Sequence, residues 1–152
     1  MNGHTVPATQ LINLKEMEIK NQLVEEATQY NADVNTNMTI EDMKAVIAAA
    51  KEARIAEAAA AEADKAAAEA NAKAAKEAEE AEAAAKELAH KQEVGENTTE
   101  AAQVAAKEIA EAKAAQAEAV EANHEAMQAH GKEVIAEQNE DKVAAEAVAN
   151  AE

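Results

Sequence analysis

Glu87-Leu88-Ala89-His90 and Glu121-Ala122-Asn123-His124 each set a carboxylate and an imidazole three residues apart. On a helix this places both groups on one face, one turn apart, the arrangement by which di-metal carboxylate bundles draw ligands from facing helices. Such a centre needs the two motifs opposite each other. In a hairpin folded near residue 96, His90 sits beside the turn and His124 far along the return arm, about 30 Å away at roughly 1.5 Å per residue. The favoured reading is therefore exposed His on a Glu-rich helix, and no metal ligand is assigned. His4 and His130 add no ligand spacing. Nucleophilic chemistry has no material, since the chain contains neither Cys nor Ser. Its 3 Gly form no phosphate-cradling loop. Abundant Glu is not an acid-base pair without an apolar pocket to raise one carboxyl's pKa. The expectation is a non-enzyme with no catalytic residue, no cofactor and no metal.

The elements that would position any site are helices. From residue 45 to 92 the chain is almost entirely Ala, Glu and Lys, strong helix formers, and no Gly or Pro interrupts it between Met38 and Val94. Charges four apart reinforce the helix: Lys65 with Glu69, Glu69 with Lys73, Lys73 with Glu77, Glu82 with Lys86, and Glu87 with Lys91. Gly95 is suited to ending it in a left-handed conformation. Asn97 and Glu100, three apart, offer the next capping start. The reading is all-α, a small N-terminal helix-loop-helix module followed by long Ala-rich helices in a helical hairpin or a bent rod. Residues 1–10 read as a flexible arm, 11–50 as the module, 51–94 as the helix continuing from it, 95–97 as a turn and 98–152 as a second Ala-rich helix. Gly131 would mark a kink or a fray.

Within the module, Leu11, Leu14, Met17, Ile19 and Leu23 give a roughly helical apolar stripe that should end near Tyr30, where Asn31, Asp33, Asn35, Thr36 and Asn37 supply turn chemistry. Thr39-Ile40-Glu41-Asp42 then reads as a capping-box-like start, with Thr39 accepting from an early amide and Asp42 at the third helical position. Met17, Leu23, Val34, Ile40, Met43, Val46 and Ile47 form the expected core. In the second arm Val120, Met127 and Val134 recur every seven residues, but the accompanying line is Ala, His or Gly, so a strict coiled-coil heptad is not established from them.

Composition limits both core and partners. Hydrophobic residues are 48% of the 152, yet most are Ala, with 1 Tyr and no Phe or Trp, so one copy cannot build a large core. Charge is -17, with acid densest after residue 95. Through residue 39 the basic residues are Lys15 and Lys20 alone. Such a surface repels phosphate backbones, and direct nucleic-acid binding is not expected. No apolar run approaches the length of a membrane span. Ala-rich helices also build the ice face of alpha-helical antifreeze proteins, but that face needs regularly spaced Thr. Here Thr lies at 5, 9, 28, 36, 39, 98 and 99, outside the Ala-rich stretches.

Gln29-Tyr30-Asn31-Ala32-Asp33-Val34 followed by Thr39-Ile40-Glu41-Asp42-Met43-Lys44-Ala45-Val46-Ile47 resembles the helix-extended-loop-helix module at the start of the FI DNA-packaging protein of lambda-like phages. The resemblance covers roughly residues 14–52. It implies a viral accessory factor that assists terminase in loading DNA into the procapsid through protein contacts with the head. That family continues into a small β-containing domain that contacts the capsid, whereas this chain continues into Ala-rich helix. The expected role is a non-enzymatic phage head-assembly or DNA-packaging accessory protein. Its partners would be viral head or packaging proteins, with self-association open, in the host cytoplasm or associated with the virion. The candidate contact loop is Asn31, Asp33, Val34, Asn35, Thr36 and Asn37, because loops on a rigid scaffold commonly carry binding. The alternatives are a helical structural spacer or scaffold-like protein and, second, a nucleic-acid-binding module of the same helix-extended-loop-helix kind.

Overall fold

A computed structural model describes residues 8–152 as all-α: α1 (Ala8–Thr28), α2 (Ile40–Glu93) and α3 (Thr99–Ala151). Residues 1–7 of the expected arm lie outside the described residues, and Ala8, Thr9 and Gln10 are already helical. α3 runs through Gly131 without a break. The expected fray is not found there: Gly131 has no positive φ, and strong helix formers surround it.

The end of α1, both ends of α2 and the start of α3 are closed by their own residues. Asn31 adopts φ 54°, the Ala32 amide donates to the Ala27 carbonyl at 2.9 Å, and the Asn31 amide donates to Thr28 at 3.4 Å. Gly95 repeats the arrangement at φ 74°, with Glu96 donating to Lys91 at 3.0 Å and Gly95 to Gln92 at 3.4 Å. Both are Schellman closures, which satisfy carbonyls that the helix leaves open. α2 opens as its sequence dictates, the Asp42 amide donating to Thr39 Oγ1 at 3.1 Å. At α3, Asn97 Oδ1 accepts from the Thr99 amide at 3.0 Å rather than from Glu100, because helical bonding begins one residue later, from Ala102 to the Thr98 carbonyl at 2.8 Å.

The chain divides into two compact units. One comprises residues up to Ala58 together with Gly131–Glu152. Its core joins Leu23 and Ala27 of α1, Met38 of the loop, Met43, Val46 and Ile47 of α2, and Ala147 of α3. Val34 and Ile40 pack half-buried against it. Met17, expected inside, is 48% exposed. The reason is topological. Glu16 and Lys20 lie beside Thr39–Glu41, while Leu23 and Glu26 lie beside Lys44, Ile47 and Lys51. α1 and α2 therefore run in the same direction, and the first turns of α1 extend roughly 12 Å past the start of α2 at 1.5 Å per residue. The C-terminal end of α3 closes the remaining side, where Arg54 bonds Glu140 at 2.6 Å.

The second unit, Ala59–His130, is an antiparallel hairpin of α2 and α3. In α2, residues 60, 63, 67, 70, 74, 77, 81, 84, 88 and 91 are buried or half-buried, and every other position from 59 to 93 is exposed. In α3 the same holds for 101, 105, 108, 112, 115, 119, 122, 126 and 129. Spacing alternates between three and four throughout, which is the coiled-coil repeat. Of these 19 positions 15 are Ala, so the helices meet through methyl groups. The repeat is not carried by the larger residues that recur every seven positions. Val120 and Met127 are 64% and 73% exposed, and the seam lies one residue earlier, at Ala119 and Ala126. Small side chains permit the close approach that Val and Met would block.

Candidate protein-contact surface

The extended loop between α1 and α2 is held at several points, and this fixes what it presents. Ala32 and Val34 turn toward the core, and Met38 is fully buried at the other end. Between these anchors the Asn37 amide donates to Asn35 Oδ1 at 2.9 Å and the Met38 amide to the Asn35 carbonyl at 3.1 Å. Asn side chains that bond the backbone two residues on stabilise such turns without regular structure. Lys20 of α1 donates to the Thr36 carbonyl at 3.1 Å, tying the loop back across the helix. Of the candidate contact residues, Asn31, Asp33, Asn35, Thr36 and Asn37 are exposed, whereas Val34 is half-buried and acts as an anchor.

Beside the loop, the projecting part of α1 adds surface that apolar spacing alone assigns to a stripe against α2. Leu11, Ile12, Leu14, Met17 and Ile19 are 48, 59, 63, 48 and 41% exposed. They surround the helix instead of forming one face. Lys15, Glu16, Glu18 and Lys20 lie among them, so this segment carries no net charge in a chain of -17. The candidate contact surface is thus a polar, hydrogen-bonded loop next to a neutral, aliphatic helix end.

The two Glu-His motifs do not converge. Asn71 exchanges two hydrogen bonds with Asn123 across the hairpin, at 3.2 and 3.0 Å, which fixes the register there. His124 therefore lies beside Asn71, while His90 lies about 28 Å further toward the turn at 1.5 Å per residue. His124 Nε2 meets Gln128 Nε2 at 3.1 Å instead. His130 reaches across to both Asp64 oxygens at 2.8 Å. Lys73, expected to pair along its own helix, bridges to Glu118 at 3.0 Å because the hairpin brings that carboxylate closer. The hydrogen bond and charge of Glu118 raise the Lys73 pKa. The Glu82–Lys86 and Glu87–Lys91 pairs form as spaced, at 2.9 and 3.4 Å.

Sequence reasoning missed one carboxylate group. Glu77 and Glu108 occupy seam positions, and with Glu80 they bring carboxylate oxygens within 4.8 Å of one another. One oxygen of Glu77 and one of Glu108 are buried without a hydrogen-bond partner. The missing signal was the heptad phase, which marks both residues as inward once Ala is allowed to define the seam. Among the described residues no helix is long and apolar enough to cross a membrane.

No family model matches this chain, and no solved structure matches it. Over 45 residues, 30% of its length, it is 43% identical to large ribosomal subunit protein uL3 of Metamycoplasma arthritidis (strain 158L3-1). The matched stretch spans 16% of that protein, about a sixth of its length.

Proposed function

We propose that this chain is a non-enzymatic phage head-assembly or DNA-packaging accessory protein that acts through protein-protein contacts. The observation that carries this reading is the same-direction course of α1 and α2, joined by an extended loop that is anchored at Ala32, Val34 and Met38 and presents Asp33, Asn35, Thr36 and Asn37. That arrangement supports the resemblance to the helix-extended-loop-helix module of the FI DNA-packaging protein, and it offers a pre-ordered recognition element at small entropic cost. The chemistry of the surface supports contact with protein in preference to nucleic acid. Lys15 and Lys20 are the only basic residues through position 39, and Lys20 is committed to the loop carbonyl. In this reading the protein works in the host cytoplasm or on the assembling particle and requires no cofactor. The test is a pull-down from infected-cell extract. Recovery of portal, terminase or major head protein is the expected result, and its loss is expected when Asn35 and Asn37 are changed together to Ala. Recovery of none of the three proteins refutes it.

The alanine-rich seam of residues 59–130 favours a second reading, a helical spacer or scaffold-like protein. Deleting residues 1–50 leaves function intact on that reading and abolishes it on the first.

A further inference from the structure

The first half of α1 exposes Leu11, Ile12, Leu14, Met17 and Ile19 between charged residues, and exposed apolar surface of this kind marks a contact site. We infer that a second copy of this chain covers it, by antiparallel pairing of α1 with α1 about a two-fold axis passing between Lys15 and Glu16. This surface is separate from the loop of the proposed function.

The occupant follows from the order of the residues. In a two-fold contact, residue i meets residue j, and j meets i. Positions equidistant from a point between Lys15 and Glu16, and on the side of the helix that such a contact presents, are Lys15 and Glu16 themselves and Ile12 and Ile19; Leu14 and Met17 are equally spaced but lie on the opposite side of the helix. Opposite charges therefore face each other twice, and aliphatic side chains face aliphatic side chains. Ile12 and Ile19 stand one heptad apart on one line of the helix with Lys15 between them, the spacing of a paired seam. Ile12 and Ile19 are 59% and 41% exposed, so neither is committed to its own core. Charge also permits the approach. Two copies at -17 repel as wholes, but the contacting segments carry two Lys and two Glu each and meet without a like-charge penalty. An arbitrary protein partner has no reason to match this internal order, whereas a second copy matches it by symmetry.

The experiment uses the full chain and measures self-association by sedimentation equilibrium from micromolar to millimolar concentration. Far-ultraviolet circular dichroism confirms that each variant keeps its helices. The wild-type chain forms a dimer. K15E and E16K, each placing two like-charge pairs in the contact, weaken it roughly tenfold or more. The double variant K15E/E16K restores the pairing. An equimolar mixture of the two single variants forms the heterodimer, because the adjacent carboxylates of the K15E chain then face the adjacent ammonium groups of the E16K chain. A chain monomeric across the whole range overturns the inference. So does a dimer indifferent to both single variants, which places the contact elsewhere. Binding of α1 to a viral head protein without self-association assigns the surface to that partner and equally overturns it.

Discussion

Val120 and Ala119 are neighbours with opposite fates, and exchanging side-chain size at each tests the seam directly. Val120 is 64% exposed, so about a third of its side chain is removed from water. Two methyl groups fully buried contribute about 1.6 kcal/mol at roughly 0.8 kcal/mol each, and a third of that is about 0.5 kcal/mol. Ala exceeds Val in helix propensity by a comparable few tenths of a kcal/mol. V120A should therefore leave stability within about 0.5 kcal/mol of the parent. Ala119 is 5% exposed in a seam of methyl groups, so A119L adds three carbons where the facing helix already stands. Overpacking of this kind costs about 1 to 3 kcal/mol. Urea unfolding followed by circular dichroism reads both, and with a slope of about 2 kcal/mol per molar the A119L midpoint falls by roughly 0.5 to 1.5 M. A loss above about 1.5 kcal/mol for V120A together with a neutral A119L would show that the Val120, Met127 and Val134 line faces inward, and the alanine seam would be wrong.

Further outcomes follow from single residues. G131A should stabilise the chain by about 0.5 to 1 kcal/mol, since Gly131 is helical with open space around it. G95A should destabilise by about 1 kcal/mol through its φ of 74° alone, and the same urea titration separates the two. Replacing Glu108 with Ala removes a carboxylate oxygen buried without a partner and should raise the midpoint by the equivalent of about 1 kcal/mol; a fall would mean that the group is satisfied in solution. Lys73 should titrate above the ordinary lysine value of 10.5 in an NMR pH series, and E118Q should bring it back. Because the folded pKa is raised, the Lys73–Glu118 pair contributes its stability below the unfolded lysine value and loses it as pH climbs through the raised one, so its effect disappears only in alkali.

Local chemistry was legible in the chain. Thr39 caps α2 because its hydroxyl can accept from an early helical amide, and Gly95 closes it because Gly takes a positive φ without strain. Leu23, Met43, Val46 and Ile47 announced themselves as core by size and spacing. The loop was visible from its run of Asn and Thr, and Val34, expected in the core as well as in the contact loop, does pack half-buried against that core; the exposure of Met17 was not visible, since it depends on how α1 is set along α2. The seam was hidden for a different reason. Ala stands both inside and outside these helices, so its occurrence carries no phase, and the larger Val120 and Met127 stand outside the seam and do not mark it. The role of Ala147 in the core of the N-terminal unit was equally silent, because it arises from a residue more than a hundred positions away along the chain.

A seam in which 15 of 19 positions are the same residue has a further consequence. Shifting one helix of the hairpin by seven residues again sets methyl against methyl, so packing along residues 59–130 hardly distinguishes one alignment from the next. The choice falls to features that do not repeat: the reversal at Gly95, the seam residues Glu77, Leu88, Lys91 and Glu108, and the cross-links Lys73–Glu118, Asn71–Asn123 and Asp64–His130. Such a hairpin resembles a zip fastener with identical teeth, aligned by its end stop and a few marked teeth. Seven residues added to both arms on the turn side of Lys73 and Glu118, in phase, would lengthen it without disturbing how any existing tooth meets its neighbour. Seven added to one arm alone would set the end stop against the marks. Length in this molecule is therefore a quantity that can change by whole heptads, provided that both arms change together.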